Sequence, residues 1–274
     1  MGNYGGINMK ENSVYNGDSL KILSNRNEFL DNSINLIYAD HPFFTNRNFG
    51  EYDDRWESIE KYISWITSIL KELHRILKET GSIYLHCDWH ASHYIKVEMD
   101  KIFGYNNFRN EIIWQYQAGS NSNRDFGRKH DTILRYSKSN NYVFYSDSIR
   151  EQYAHATLER LNFNGAREKN IDKVISRGGK VPTDVWYYPT IQGNSKEKIN
   201  YPTQKPEQLL ERIIKASSNI NEIVLDPFCG SGTTLAVAKK LERKWIGIDK
   251  SKKACEISEK RTALGVAEWE MTEE

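Results

Sequence analysis

The chain contains few of the residues and segments that would place it outside the cell or in a membrane. Only 3 of its 274 residues are cysteines, too few for a disulfide framework, and an odd count favours reduced thiols in a cytoplasm. No stretch approaches the roughly 20 apolar residues needed to span a bilayer. The first six residues contain no apolar run for secretion, and Gly6 stands where a myristoylation site needs Ser or Thr. We therefore expect a cytoplasmic protein with no membrane partner.

The chain also lacks a large net charge, but its charges are unevenly distributed. Its 38 Lys and Arg nearly balance 37 Asp and Glu, for a formal net charge of +1. Residues 119–200 hold 14 basic and 9 acidic residues, whereas the rest of the chain holds 24 and 28. A basic segment on an acidic body suits a region that binds a polyanion. Charge alone leaves a solvated polar loop open as the alternative.

Apolar spacing predicts strands and helices that alternate along most of the chain. The predicted strands are 34–39, 82–87, 111–116, 132–136, 142–145, 222–225 and 245–248. The predicted helices are 58–78, 91–103, 206–217, 233–241 and 252–264. This order predicts an α/β fold, a doubly wound and mainly parallel sheet with helices on both faces. Residues 119–200 interrupt the alternation with Gly, Asn, Ser and ten aromatic residues. A segment of that length inside a compact domain is usually functional or partly disordered, so we expect an insertion.

A loop rich in glycine joins one predicted strand to the following helix. The strand ends at Asp226, and Gly230 and Gly232 let the backbone turn sharply and approach a ligand closely. The free N–H groups at the start of the next helix favour an anion. Asp249 ends the following strand, where a carboxylate can accept hydrogen bonds from both hydroxyls of a ribose. The pattern indicates a nucleotide-like cofactor. It differs from the Gly-x-Gly-x-x-Gly motif of dehydrogenases, because Leu235 stands where that motif has its third glycine.

A second motif, Asp40-His41-Pro42-Phe43, follows the strand predicted at 34–39. Exocyclic amines of adenine and cytosine are poor nucleophiles because the nitrogen lone pair is delocalised into the ring. The Asp40 side chain can accept a hydrogen bond from one N–H of such an amine. The carbonyl of His41, in a turn stiffened by Pro42, can accept the other. Phe43 offers a flat apolar face on which a base turned out of its helix can stack.

Together the two motifs resemble those of the β-group of S-adenosylmethionine-dependent DNA amino-methyltransferases, which methylate adenine N6 or cytosine N4. In that family the chemical motif precedes the cofactor loop, and a target-recognition region lies between them. The resemblance extends from Asn16-Gly17-Asp18 to the helix after Asp249. The family motif is usually Asp-Pro-Pro followed by Tyr or Phe, so His41 is a departure. The family uses the backbone carbonyl at that position, which histidine retains.

The resemblance implies a division of the chain and a role for particular residues. Residues 1–118 form the catalytic half of a Rossmann-like domain, 119–200 the inserted target-recognition region and 201–274 the cofactor-binding half. The implied catalytic residues are Asp40, His41, Pro42 and Phe43. Those implied for S-adenosylmethionine are Asp18, Lys205, Asp226, Phe228, Gly230, Gly232, Thr233 and Asp249. Basic residues expected to contact DNA are Arg124, Arg128, Lys129, Arg167, Lys169, Lys173 and Arg177. No metal is expected, and the cluster of His86, Asp88, His90 and His93 is interpreted as structural hydrogen bonding at a strand end.

The resemblance predicts transfer of a methyl group to adenine N6 in a short double-stranded DNA sequence, by base flipping and in-line displacement. Aspartate rather than serine at position 40 favours adenine. Cytosine N4, structured RNA and a DNA-binding relative impaired by His41 are the alternatives. Methylation of cytosine C5 is excluded because none of the three cysteines follows proline. The predicted setting is restriction-modification on nucleoid DNA, and a partner endonuclease and a homodimer are left open.

Overall fold

The structure is a computed structural model that describes residues 9–50, 52–117, 123–153, 176, 178–193, 195–199 and 201–264. Within these ranges the chain forms an eight-stranded sheet and six α-helices. The strands are β1 (Ser13–Asn16), β2 (Ile34–Ala39), β3 (Leu77–Cys87), β4 (Phe108–Gln115), β5 (His130–Ser137), β6 (Val185–Tyr187), β7 (Ile223–Asp226) and β8 (Lys244–Asp249). The helices are α1 (Ser19–Leu23), α2 (Ile59–Ile76), α3 (Ser92–Phe103), α4 (Glu207–Ser217), α5 (Thr233–Lys240) and α6 (Lys252–Leu264).

The strands lie in the order β1-β8-β7-β2-β3-β5-β4-β6. All neighbouring pairs are parallel except those of β5, which runs antiparallel to β3 and to β4. β2 pairs with β3 on one side and with β7 on the other. The chain therefore reverses its direction of winding at β2. In open α/β sheets, ligands bind beyond the carboxyl ends of the strands at such a reversal.

Helices cover both faces of the sheet because successive strand residues point to opposite sides. Leu36 and Tyr38 of β2 belong to a buried cluster with residues of α4 and α5. Ile37 and Ala39 belong to the opposite cluster, with residues of α2 and α3. The doubly wound α/β fold is confirmed. Among the described residues, no helix combines the length and apolar character that crossing a bilayer requires.

α2 shows how local sequence sets these helices. The Ser58 hydroxyl caps its first turn by accepting the Lys61 N–H at 3.3 Å, which satisfies one of the N–H groups free at a helix start. The residues buried along the helix recur three or four positions apart and form one stripe facing the sheet. They are Tyr62, Ile66, Ile69, Leu70, Leu73 and Ile76.

The region between 119 and 200 differs from expectation in two places that the structure describes. The strand predicted at 142–145 is wrong: this backbone bonds to two different elements, since Val143 N–H donates to the Thr80 carbonyl in β3 and Tyr145 N–H to the Ala216 carbonyl in α4. β6 was not predicted, and it adds a parallel edge to β4. β5 lies between β3 and β4, so the range 119–200 contains a strand of the central sheet. The role of residues 119–200 in target recognition stays a prediction.

Candidate active site

A cavity of about 530 Å³ opens where β2 and β7 end side by side. It is lined by both sequence motifs although they are far apart in the chain. Of the residues predicted to be functional, those lining it are Asp18, Asp40, His41, Pro42, Phe43, Lys205, Asp226, Phe228, Gly230, Thr233 and Asp249. The parallel pairing of β2 with β7 causes this meeting, since parallel strands end at the same edge of a sheet.

Asp40 stands at this edge with its two carboxylate oxygens in different environments. Its Oδ2 accepts a hydrogen bond from the Lys205 ammonium at 2.5 Å, in an ion pair that is largely shielded from solvent. Its Oδ1 is buried and has no hydrogen-bond partner among the residues that the structure describes. The Nδ1 atom of His86 lies 3.8 Å from Oδ1, beyond hydrogen-bonding distance. A buried acceptor without a partner is unusual in a folded protein and marks a place for a donor.

The ring of His41 is buried, with 2% of the residue exposed. Its Nδ1 lies 2.7 Å from the Pro42 carbonyl oxygen, so the hydrogen-bond network assigns the ring proton to Nδ1. The Tyr62 hydroxyl donates to the same carbonyl at 2.8 Å. Aromatic rings, including those of Trp65 and Phe228, surround the imidazole. Burial lowers the pKa of His41 to about 4, so the ring is neutral at neutral pH.

Phe43 lies between the main cavity and a second one of about 600 Å³. Its ring centroid lies 5.4 Å from that of His86, and the Lys205 ammonium lies 5.5 Å from the Phe43 centroid. Trp114, Tyr116 and Asp131 line the second cavity. Aromatic walls joined to a few polar groups are typical of a pocket for a planar ring.

Asp54 holds the backbone that follows the chemical motif, a role that the sequence did not reveal. It is 1% exposed, and its carboxylate accepts the backbone N–H groups of Phe44 and Thr45 at 3.0 and 2.8 Å. Phe44 has a φ of 66°, a left-handed conformation that costs energy in a residue with a side chain. The hydrogen bonds to Asp54 hold that conformation. A carboxylate fourteen residues after Asp40 carries no local signal, since the contact exists only once the loop has folded back.

The carboxylate of Asp226 lies beneath the glycine-rich loop and is 2% exposed. It accepts the Phe228 N–H at 3.0 Å and the Thr234 hydroxyl at 2.6 Å. Burial raises the pKa of Asp226 to about 7, although both hydrogen bonds oppose the shift. The group therefore changes its charge near neutral pH at the wall of the cavity.

Asp249 and Asp18 flank the loop from the neighbouring strand and helix. Asp249 accepts the Gly230 N–H at 2.9 Å and the Ser251 N–H at 2.8 Å, so it fixes the position of the loop. Burial raises its pKa above the ordinary value. Asp18 caps α1 by accepting the Lys21 N–H at 3.1 Å. Each carboxylate oxygen can accept a second hydrogen bond, so both side chains retain capacity toward a ligand.

Gly232 serves the packing of α6 and is not among the residues that line the cavity. Its φ is 73°, and a Cβ built on it would lie 2.7 Å from the Ser258 hydroxyl oxygen. Gly230, with a φ of 49°, does line the cavity, and a Cβ there would lie 3.2 Å from the Tyr201 ring. The two glycines thus meet different steric demands. α6 also sends Arg261 beneath the loop, where it donates to Thr233 at 2.9 Å and pairs with Glu207 at 2.7 Å.

The predicted DNA-contacting residues fall into two groups. Arg124 and Arg128 are exposed and Lys129 is partly exposed, and the Arg128 guanidinium lies 4.1 Å from the centroid of the Trp89 ring. The other four, Arg167, Lys169, Lys173 and Arg177, lie outside the described residues. Contact of any of these side chains with DNA stays a prediction.

His86, near the end of β3, and His90, beyond it, make separate hydrogen bonds. His86 Nε2 lies 3.1 Å from an Asp131 oxygen, and its Nδ1 lies 2.7 Å from the Tyr38 hydroxyl. His90 Nδ1 lies 2.6 Å from Asp88. In the part of the chain that the structure describes, no three histidine, cysteine or carboxylate side chains converge as metal ligands.

Comparison with known proteins assigns this fold and site to a family. The model of the family N6_N4_Mtase, described as DNA methylase, matches residues 34–260. The DNA adenine methyltransferase YhdJ of Escherichia coli (strain K12) is 35% identical over 239 residues, 86% of this chain and 78% of its own. The type II methyltransferase M.BglII of Bacillus subtilis is 33% identical over 258 residues, 90% of this chain and 68% of its own.

A solved structure shows the same fold. The complex of M1.HpyAVI with S-adenosylmethionine aligns over 91% of this chain and 98% of its own, with a TM-score of 0.58 and 24% identity. The predicted family and its cofactor, S-adenosylmethionine, are confirmed. The chain belongs to the N6_N4_Mtase family of DNA methylases.

Proposed function

We propose that this DNA methylase transfers a methyl group from S-adenosylmethionine to N6 of adenine in a short sequence of double-stranded DNA. The observation that carries the proposal is the buried Asp40 Oδ1, which lacks a partner at the edge of the cavity. An exocyclic amine supplies the hydrogen-bond donor that this oxygen lacks. Lys205 pairs with the other oxygen, which leaves Oδ1 as the acceptor for the amine.

The residues of the main cavity fit the cofactor. Asp18, Asp226 and Asp249 are among the acidic side chains that line it, together with the aromatic ring of Phe228. This combination suits a ligand with a positive charge, a ribose and a flat adenine ring. When bound, S-adenosylmethionine supplies an electrophilic methyl group. The backbone of the loop and the start of α5 would hold its carboxylate, since the N–H groups of a first helical turn are free to donate.

The chain's own residues prepare the amine for methylation. Asp40 Oδ1 would accept one N–H and the His41 carbonyl the other, so that the nitrogen lone pair is withdrawn from the ring and becomes available. Phe43 and the second cavity would hold the planar base. Because His41 is neutral and buried, its ring adds no positive charge beside a cationic ligand. Replacement of the usual proline is therefore compatible with activity, which argues against a catalytically impaired relative.

The choice of adenine over cytosine has two supports. Aspartate stands at position 40, as the resemblance associates with adenine, and the relative YhdJ is named a DNA adenine methyltransferase. The family model covers both N6 and N4 methylation, so cytosine N4 is the competing function. The exposed Arg124 and Arg128 would contact phosphates of the duplex.

The test is to replace Asp40 with Ala and measure the transfer of a labelled methyl group from S-adenosylmethionine to genomic DNA. Removal of one group that stabilises a transition state typically costs 10²–10³ in rate, and we expect a loss of at least about 10²-fold. Cofactor binding, measured by calorimetry, should persist. Asp147→Ala is the matched control, because Asp147 is exposed and pairs only with the nearby Arg150 in the described structure. Full activity of the Asp40 variant would remove the assignment.

A further inference from the structure

The Asp40 carboxylate lies beside a buried imidazole that bonds to a second carboxylate. The proposed methyl transfer gives neither of these two groups a role. His86 is fully buried. Its Nδ1 lies 3.8 Å from Asp40 Oδ1, and its Nε2 lies 3.1 Å from Asp131 Oδ2. The three side chains come from the ends of β2 and β3 and the start of β5, which are neighbours in the sheet. They therefore form a continuous line from the main cavity to the second one.

The hydrogen bonds place a proton on Nε2 of His86, because that nitrogen faces a carboxylate oxygen of Asp131. Burial raises the pKa of Asp131, but the hydrogen bond and charge of His86 and the charge of Lys205 outweigh burial, so the net pKa lies below the ordinary value. Asp131 is thus ionised and accepts the Nε2 proton. Nδ1 then presents its lone pair toward the Tyr38 hydroxyl and Asp40. The Tyr38 hydroxyl can donate to a neutral ring and accept from a protonated one.

We propose that His86, oriented by Asp131, takes the proton that the target amine loses after methylation. The inference rests on the proposed function. Methylation leaves the amine nitrogen with a positive charge and one surplus hydrogen. An N–H bond breaks, its electron pair stays on nitrogen, and the proton binds Asp40 Oδ1. The proton then moves from this oxygen to His86 Nδ1, once the two atoms close the 3.8 Å between them and the Tyr38 hydroxyl turns its hydrogen away from Nδ1. This transfer restores the Asp40 carboxylate for the next cycle.

The geometry also provides an exit for the proton. The protonated ring releases its Nε2 proton to Asp131, whose side chain is 14% exposed and lines the second cavity. Asp131 passes the proton to solvent, and the ring regains its Nε2–H form by proton exchange before the next turnover. Phe43 and Trp114, with ring centroids 5.4 and 5.5 Å from that of His86, shield the inner part of the route from water. His86 acts through Asp40, so it is a positioning and relay residue. The titratable groups around the route are Asp40, Tyr38, His41, Lys205, Asp131 and Tyr116.

The experiment measures single-turnover methylation of genomic DNA between pH 5 and 9 for the wild type, His86→Gln and Asp131→Asn. General acid–base groups typically contribute 10²–10⁴ in rate, and we expect a loss of about 10²-fold in both variants. If His86 accepts the proton, the wild-type rate should show an acid limb, since only an unprotonated ring can accept. His86→Gln should lose this acid limb. Asp131→Asn should change its position, because an amide does not stabilise the imidazolium as a carboxylate does.

His90→Gln is the matched control, since His90 pairs with Asp88 rather than Asp40, and it should keep the wild-type rate and profile. A readout independent of activity is the nitrogen NMR spectrum of His86, which should show the Nε2–H tautomer in the wild type and a mixture in Asp131→Asn. If His86→Gln does not fold, Asp131→Asn decides the question. A wild-type rate and acid limb in both variants would overturn the relay and leave the proposed function standing. Absence of transfer by the wild-type protein would overturn both.

Discussion

His41 places a titratable imidazole where the family motif usually has proline. Burial keeps this imidazole uncharged at neutral pH. The ring bonds to Pro42, and its Nε2 lies 3.8 Å from the Cys87 sulfur. Burial raises the pKa of Cys87 well above the ordinary value, so the thiol keeps its proton. The Tyr62 hydroxyl also stabilises the turn, because it donates to the Pro42 carbonyl. The turn that proline would stiffen is here stabilised by a buried, neutral network.

Protonation of His41 should therefore oppose folding at low pH. The ring stays neutral in the folded protein down to about pH 4, whereas in the unfolded chain it takes up a proton below about 6.5. The unfolded state binds more protons between these values, so stability falls as pH falls. We expect the wild type to lose up to about 3 kcal/mol more than His41→Asn between pH 6.5 and 4. Urea unfolding at a series of pH values measures this, and parallel curves for the two proteins would contradict it.

Asp226 should make cofactor binding depend on pH. Its pKa is raised to about 7 by burial, so its ionised fraction increases roughly tenfold between pH 6 and 8. An ionised carboxylate at the cavity wall favours a positively charged ligand. We expect the affinity for S-adenosylmethionine to rise by up to about tenfold over this range.

Calorimetric titrations of the wild type and Asp226→Asn test this expectation. The asparagine keeps the size of the side chain, and its binding curve reports the titration of the ligand alone. The affinity of the wild type should rise more steeply with pH than that of the variant. The same slope in both proteins would show that Asp226 does not titrate in this range or does not act on the ligand.

At the scale of elements, the glycine-rich loop is held by its neighbours on both sides. Asp249 at the end of β8 fixes the Gly230 N–H, and Ser258 of α6 donates to the Gly230 carbonyl at 2.9 Å. Arg261 of the same helix reaches the start of α5. α6 thus supports the loop from below, and its contacts set the shape of the cavity wall.

Replacement of Gly232 by Ala should damage this support. The new Cβ would meet Ser258 at 2.7 Å, and the φ of 73° is strained for alanine. Gly50 is the matched control, because its φ is 83° and no atom lies within 4 Å of its virtual Cβ. We expect Gly50→Ala to cost about 1 kcal/mol and Gly232→Ala about 2–4 kcal/mol. Equal losses of unfolding free energy in the two variants, measured in urea, would contradict this expectation. They would show that α6 can shift away from the new Cβ without an energetic cost.

Local patterns predict the elements that depend on local forces. The helix and strand bounds from 206 to 264 agree with the structure to within one residue, because apolar periodicity and glycine breaks act within a few residues. The strand predicted at 142–145 was wrong because its N–H groups bond to two different elements, β3 and α4, rather than to one neighbouring strand. β6 was missed because its pairing with β4 joins residues far apart in the chain.

The candidate site also contains both features that local sequence predicts and features that depend on long-range contacts. Asp40 and the glycine-rich loop are readable from the sequence because each is a short motif at a strand end. The ion pair of Asp40 with Lys205 joins residues 165 positions apart. The relay through His86 and the clamp by Asp54 also arise only from tertiary contacts. The partners of a catalytic group therefore cannot be predicted from local sequence patterns, because they contact it only in the folded chain.

At the scale of the molecule, the order of the strands brings the two sequence motifs to the same cavity. Since β7 and β8 pair beside β2 rather than beyond β6, the cofactor loop and the chemical motif end at one cavity. The second cavity adjoins it across Phe43. In the proposed function, the donor and the acceptor of the methyl group are held from the two halves of the sheet.

The most direct measurement is the mass of the nucleosides released from DNA that the purified protein has methylated with labelled S-adenosylmethionine. The meeting of Asp40 with the cofactor loop predicts N6-methyldeoxyadenosine as the labelled product, absent when Asp40 is replaced by Ala. Label in N4-methyldeoxycytidine would contradict the choice of adenine. No label in any nucleoside would contradict the proposal that this cavity methylates an exocyclic amine of DNA.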